Sequence, residues 1–432
     1  MSTAPAPSPP SQARSILSFF SGNLAATVIS LFATLLVTRW TAPEQLGLWN
    51  LAVLISTYVS ALQLGVFNGL NRQLPYYRGR QDHDKAERMA EVGFGWCLLL
   101  TAATAVVIVA AAGYFAARGQ WEALQTTLAI GMVLLCSWSL QFLTVCYAAN
   151  SEFGHLARKT TLVALAGLPL TLIVHAFGYV GLLVRASLIA LASSLALFHE
   201  RPMRVQPAWD RDVFRELARI GFPIWLLGQL GALFMTLDRM VLASSPKELG
   251  YYTIAAQFAT LAAMVPTAFN AVVYPRMAQH YGSEHRATAL WSQALRACAG
   301  SAACSIALAI VCWFTIPWFV EWLLPAYVPG IPAAQWAALT GVAMAFSVFG
   351  NIFNVLGRQE IYLICSLAGL AMFVSAWVAL TRWLGLPPLT SAAQSMLIAT
   401  CTTATLSMIL SGITCRRHDQ QRHGLAATAA SS

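Results

Sequence analysis

The sequence predicts an all-α membrane protein: about twelve transmembrane helices in two six-helix lobes, related by a pseudo-two-fold axis along the membrane normal. Three observations predict it. Of the 432 residues, 58% are hydrophobic and only 10% are charged, with a mean hydropathy of +0.63. A soluble chain carries roughly 25% charged residues, so this one has too little polar surface to face water, and lipid is the solvent for most of it. The apolar residues gather in runs of about 20, the length that crosses a bilayer as a helix. Finally, the chain reads itself twice: Pro43-Glu44-Gln45-Leu46-Gly47 returns as Pro246-Lys247-Glu248-Leu249-Gly250, a shift of 203 residues. Each copy lies between two long apolar runs and leads to a charged segment bearing tyrosine (Tyr76-Tyr77-Arg78-Gly79-Arg80 and His280-Tyr281-Gly282-Ser283). A membrane-embedded duplication of this kind points to a transporter, in which two equivalent bundles flank a pathway and rock against each other.

Taken in order, residues 1–14 are rich in Pro, Ser and Ala and read as a disordered cytoplasmic tail. The first lobe occupies 15–198, with spans at 16–38, 48–70, 92–117, 124–147, 161–176 and 180–198. The connector 199–219 places Trp209, Val213, Leu217 and Ile220 on one helical face and its charges elsewhere, the pattern of an interfacial helix on the inner leaflet. The second lobe occupies 220–413, with spans at 221–242, 251–273, 297–320, 334–354, 361–380 and 392–413, and 414–432 form a second cytoplasmic tail. Charged helical lead-ins precede the third span (82–91) and the ninth (283–296). Six spans per copy is an even number, so both copies enter the membrane in the same direction, as parallel repeats do.

The basic residues orient the set. Twenty of the 26 lysines and arginines fall in the tails and in connectors on one side, five (Arg39, Arg118, Arg239, Lys247 and Arg382) fall on the other, and Arg185 falls inside a span. Lys and Arg concentrate on the cytoplasmic side, so both termini are expected there. The net charge of +9 therefore records topology rather than a nucleic-acid partner. The nine cysteines show no CxxC pair and the eight histidines no HExxH. Neither a metal site nor a cofactor is expected, and no outer loop is long enough to hold a catalytic domain.

A charge at the centre of a membrane helix costs about 2.5–3.5 kcal/mol on insertion scales, so such residues are informative. Arg185 lies about 9 Å inside the sixth span at 1.5 Å per residue, while Arg39 ends the first span and Asp238-Arg239 lie near the outer end of the seventh. The arginines either snorkel to the interface or form a cationic wall for an anionic headgroup. Asp238, the acid within a span, either pairs with an arginine or couples transport to an ion or proton. At the inner end of the second span Asn68 and Arg72 share a helical face with Asn71 beside them, and Asn270 falls one position from the repeat equivalent of Asn68. These amides are either glue between helices or the lining of a polar route. Most of the fourteen tryptophans form interfacial belts; Trp138 and Tyr58, nearer mid-span, either pack in the core or stack on sugar rings.

Two segments carry a family resemblance. Residues 46–80, LGLWNLAVLISTYVSALQLGVFNGLNRQLPYYRGR, resemble the second-span signature of polysaccharide-biosynthesis membrane proteins, the O-antigen (Wzx-type) flippases. Residues 237–258, LDRMVLASSPKELGYYTIAAQF, are similar in the same way: an Asp-Arg pair ends span seven and an E-L-G-x-Y turn opens span eight. The layout over nearly the whole chain is similar to the multidrug/oligosaccharidyl-lipid/polysaccharide exporter superfamily, which implies a MATE-like fold. The chain departs from the lipid II flippases of that superfamily in having fewer spans and short outer loops. What the resemblance implies is non-enzymatic translocation of a polyprenyl-diphosphate-linked oligosaccharide across a bacterial plasma membrane. The implied partners are that substrate, membrane lipid, and the polymerase and chain-length proteins of surface polysaccharide assembly. Arginine suits a diphosphate because its planar fork binds phosphate oxygens bidentately.

Two other classes stay in view. A drug or cation exporter of the same superfamily calls for several acids within the spans, where this chain places Asp238 and a larger number of arginines. A membrane polysaccharide polymerase or acyltransferase calls for a catalytic set in a sizeable outer loop.

Overall fold

In the computed structural model, residues 27–284 and 287–431 are described, and every regular element among them is helical. The elements run α1 (Thr27–Trp40), α2 (Pro43–Val59), α3 (Val66–Gly79), α4 (His83–Ala117), α5 (Trp121–Ala149), α6 (Phe153–Ala166) and α7 (Thr171–Phe198). They continue with α8 (Arg211–Phe234), α9 (Leu237–Leu242), α10 (Pro246–Glu284), α11 (Ala287–Leu323), α12 (Ile331–Met344), α13 (Val348–Val355), α14 (Gln359–Val378) and α15 (Pro388–Ser431). Among the described residues, ten helical stretches are long and apolar enough to cross a membrane, and the chain is a multi-pass integral membrane protein. They match ten of the twelve expected spans. The first expected span is described from Thr27 onward, and its earlier part, with the expected tail 1–14, lies outside the described residues. The fifth is split between α6 and the start of α7, which kinks at Gly178 (φ 55°).

Four further features differ from the sequence expectation. The second span is broken. After α2 a turn of 3-10 helix (Ser60–Gln63) leads to Leu64 and Gly65, both left-handed at φ 51° and 84°, before α3 begins. The cause is a backbone crossing: a Cβ on Gly65 would strike the chain at Gly221 and Phe222, and one on Gly221 would strike Gly65 and Gly69. Only glycine lets α3 and α8 meet so closely. Gln63 then heals the broken end, its Oε1 accepting the Phe67 N–H at 3.0 Å. The interfacial helix expected before residue 220 is continuous with span seven in α8, which runs unbroken from Arg211 to Phe234 and carries Pro223 inside at the loss of one helical N–H. Span seven instead breaks between α8 and α9. The expected tail from 414 onward continues α15 to Ser431.

The chain forms two compact units: the described residues up to Ala42 with Leu51–Leu230, and Pro43–Asn50 with Gly231 onward. The first has a core of Leu70 and Leu74 from α3, Met89 and Val92 from α4, Trp138 and Phe142 from α5 and Leu217 from α8. Trp138 is fully buried there and its N–H donates to Thr104 Oγ1 at 3.0 Å, so it serves packing. In the second unit Phe349 and Ile352 meet Leu290 and Ala294 of α11, and Phe234, Phe373 and Met396 form a further cluster. Large apolar side chains such as Val106, Val109 and Phe314 are 69, 71 and 76% exposed. That is the outward face expected of a protein whose solvent is hydrocarbon.

At the base of the first unit, Glu216 of α8 accepts from Gln73 (3.3 Å) and the Tyr77 hydroxyl (3.1 Å) and pairs with Lys85 (3.4 Å). Asp210 caps α8 by accepting the N–H groups of Val213 and Asp212. Those bonds, the Val213 one foremost, together with Arg88, hold its carboxyl below the ordinary range.

The two copies of the repeated motif meet each other in the second unit. Glu44 pairs with Lys247 at 3.6 Å, and Asn50 Nδ2 donates to Thr253 Oγ1 at 2.6 Å, each pair separated by the repeat shift of 203. A Cβ on Gly47 would run into the Pro246 carbonyl, and one on Gly250 into the Pro43 carbonyl. Equivalent residues meeting one another, with reciprocal cross-contacts, are the signature of a local two-fold.

Candidate functional site

The sequence-predicted residues divide between the units. Arg39, Asn68, Asn71, Arg72 and Arg185 belong to the first, and Asp238, Arg239 and Asn270 to the second. Arg185 stands on α7, seven residues beyond the Gly178 kink, and is half-buried. Its Nε is buried and has no hydrogen-bond partner among the described residues. Arg39 is exposed at the end of α1, next to Trp40, whose ring meets His175 of α7 at 5.0 Å. Asn71 and Arg72 are exposed on α3.

The amides are more committed. Asn68 Oδ1 accepts from Gln63 Nε2 at 2.7 Å, which ties it to the broken end of the second span. Asn270 Nδ2 donates to Ser347 Oγ at 2.7 Å, and its Oδ1 accepts from Asn351 Nδ2 at 3.2 Å. Both amides are thus hydrogen-bonded to neighbouring segments of their own unit.

Asp238, on α9, is 7% exposed. Its Oδ2 accepts the Tyr252 hydroxyl at 2.9 Å, and its Oδ1 accepts the Arg239 N–H at 2.8 Å with the Arg239 Nε at 3.9 Å. Tyr252 was missed by sequence reasoning, yet the signal was present: it is the tyrosine of the E-L-G-x-Y turn, and it anchors the aspartate of the Asp-Arg pair fourteen residues earlier. Glu216 was also missed, since the amphipathic pattern sets it only among the charges off the apolar face. Replacing Tyr252 by phenylalanine leaves a buried carboxylate oxygen without its hydroxyl donor. A loss of about 1–3 kcal/mol is expected, readable as a lowered thermal midpoint in detergent. Among the described residues no group of three His, Cys, Asp or Glu could hold a metal ion.

Residues 36–325 match the family model described as polysaccharide biosynthesis protein. The chain belongs to that family. No curated protein matches significantly. Solved structures do resemble it. An inward-facing multidrug resistance MATE family transporter of the MOP superfamily is 17% identical over 91% of this chain and 96% of its own, with a TM-score of 0.72. The lipid II flippase MurJ in an inward closed conformation is 10% identical over 92% and 90%, with a TM-score of 0.71. A MOP superfamily transporter from Pyrococcus furiosus, described as having a binding pocket of reverse polarity, is 17% identical over 94% and 97%, with a TM-score of 0.66. At these identities the likeness concerns the fold, and this polysaccharide biosynthesis protein has the MATE-like fold.

Proposed function

We propose that this polysaccharide biosynthesis protein is a flippase, moving a polyprenyl-diphosphate-linked oligosaccharide from the inner to the outer leaflet of a bacterial plasma membrane by alternating access. The observation that carries the reading is Arg185, a guanidinium in a membrane-spanning helix whose buried Nε has no hydrogen-bond partner among the described residues. Burying part of a guanidinium in a membrane-spanning helix without a hydrogen bond at Nε is costly, and the cost is understandable where the group meets an anion during the working cycle. A diphosphate supplies that anion, with oxygens spaced for bidentate binding. In this reading Arg39, Arg72, Asn68 and Asn71 of the first unit, and Arg239 and Asn270 of the second, are further substrate-contacting residues, and Asp238 balances Arg239. Family membership supports a glycan substrate, and the fold supports transport. The head cannot cross about 30 Å of hydrocarbon alone, because each unpaired polar group costs kilocalories there.

Deletion of the gene, followed by a leaflet-resolved assay of lipid-linked oligosaccharide, tests the proposal. Retention of single units on the inner face is the expected result. Accumulation on the outer face points to a polymerase instead, and a change in drug sensitivity with normal glycan points to an exporter.

A further inference from the structure

Where α5 and α7 end, the first unit gathers three cations from separate segments of the chain: Arg78 of α3, Lys159 of α6, and Arg201 just beyond α7. Tyr147, fully buried near the end of α5, organises them. Its hydroxyl accepts from Lys159 Nζ at 2.9 Å and donates to the turn that follows α7, with the Leu197 carbonyl at 3.1 Å and that of Glu200 at 3.2 Å. Lys159 also donates to the His199 carbonyl of that turn. Glu200 takes a left-handed φ of 56°, a costly conformation for a residue with a side chain. Beyond it Arg201 lies over the rings of Phe198 (4.4 Å) and Phe94 (5.9 Å). Arg78 donates to Asn150 Oδ1, and Asn150 Nδ2 donates to the Cys146 carbonyl at 2.7 Å. Arg78 and Arg201 both act electrostatically on the Cys146 side chain, next to Tyr147.

Among the described residues none of these three cations forms an ion pair with a carboxylate, and Glu200 faces His199 at 3.8 Å instead. Membrane topology requires basic residues on one side, but it does not require them to converge. Like charges held together by neutral acceptors and rings repel one another, and an anion among them removes that cost. The apolar surroundings narrow the choice of anion. Leu188, Leu191, Leu195 and Phe198 follow at spacings of three and four and are all exposed, so an apolar stripe of α7 runs up to Arg201. A free phosphate has no use for that stripe, whereas an amphiphile lays an acyl chain along it. The Tyr147 hydroxyl and the Asn150 amide are taken up by bonds within the chain, which leaves charge and hydrocarbon, not sugar-reading groups, for a ligand to meet.

We infer that this cluster binds an anionic phospholipid of the bilayer, with its phosphate among Arg78, Lys159 and Arg201 and an acyl chain on the α7 stripe. Basic pockets at the ends of spanning helices suit such headgroups. The site shares no residue with the proposed substrate route and does not depend on the flippase reading.

Native mass spectrometry of the full chain in detergent, titrated with cardiolipin or with phosphatidylethanolamine, tests it. Cardiolipin is expected to bind about tenfold more tightly or better. Arg201→Gln should weaken cardiolipin binding by about fivefold, the share of one cation near an anionic surface, and Arg201→Gln combined with Lys159→Gln should weaken it further. Arg211→Gln removes one charge from an exposed position at the start of α8 and should leave the affinity unchanged. Equal affinity for the two lipids, or a loss in Arg201→Gln no greater than in Arg211→Gln, overturns the site. Displacement of cardiolipin by an equal concentration of pyrophosphate would assign the cations to a free anion, and preferential displacement by polyprenyl phosphate would assign them to substrate. Either result overturns the phospholipid. The lipid comparison and both displacement arms use the wild-type chain, so they decide the matter even if a variant does not fold.

Discussion

Replacing Arg185 by glutamate is expected to abolish surface-polysaccharide export while leaving the protein in the membrane at wild-type abundance. The two halves of that expectation have separate causes. Hydrogen bonds to a charged group contribute about 1.5–3 kcal/mol each, so losing a bidentate pair to a diphosphate and adding repulsion should slow translocation by about a hundredfold or more. Folding should suffer little, because the arginine has no hydrogen bond at its buried Nε among the described residues, and a carboxylate there costs insertion energy of the same order. Arg185→Lys keeps the charge but not the fork, and should retain partial export. Quantifying surface glycan beside an immunoblot of the membrane fraction separates the two effects. Full export by Arg185→Glu would remove the residue from the substrate route, and loss of the protein itself would assign it a structural role.

How much of this was readable beforehand depends on the range of the interaction. Composition and run length fix which segments cross lipid, and ten of the expected spans recur as long apolar helices. The repeat was visible as a string, but its consequence was not: nothing in the letters says that Glu44 meets Lys247 rather than water. The break at Leu64-Gly65 was illegible for the same reason. A glycine in an apolar run reads as a tolerated helix residue, and its necessity appears only when Gly221, 156 residues later, is found against it. The Asp238–Tyr252 bond joins two pieces of one quoted motif, so there the local pattern was sufficient in principle. Asn68 and Asn270 show the limit from the other side. Their types and positions were legible, while their partners Gln63, Ser347 and Asn351 were a matter of packing.

The contact between the motif copies makes the sharpest structural prediction. Gly47→Val and Gly250→Val each place branched carbon where a backbone carbonyl of the other copy now lies, Pro246 in one case and Pro43 in the other. Neither obstacle is a flexible side chain, so the helix starts must separate, and the Glu44–Lys247 and Asn50–Thr253 pairs lengthen with them. Overpacking of this kind costs about 1–3 kcal/mol. Because the sites are reciprocal across one local two-fold, the two single variants should lose nearly equal stability. The double variant should lose clearly less than their sum, since one separation relieves both clashes. Gly228→Val is the control, its missing Cβ facing open space, and it should leave the thermal midpoint in detergent almost unmoved. Unequal single effects that add fully would mean that the two glycines act on separate packing faults, and the repeat would then be a relic of duplication with no shared seam to maintain.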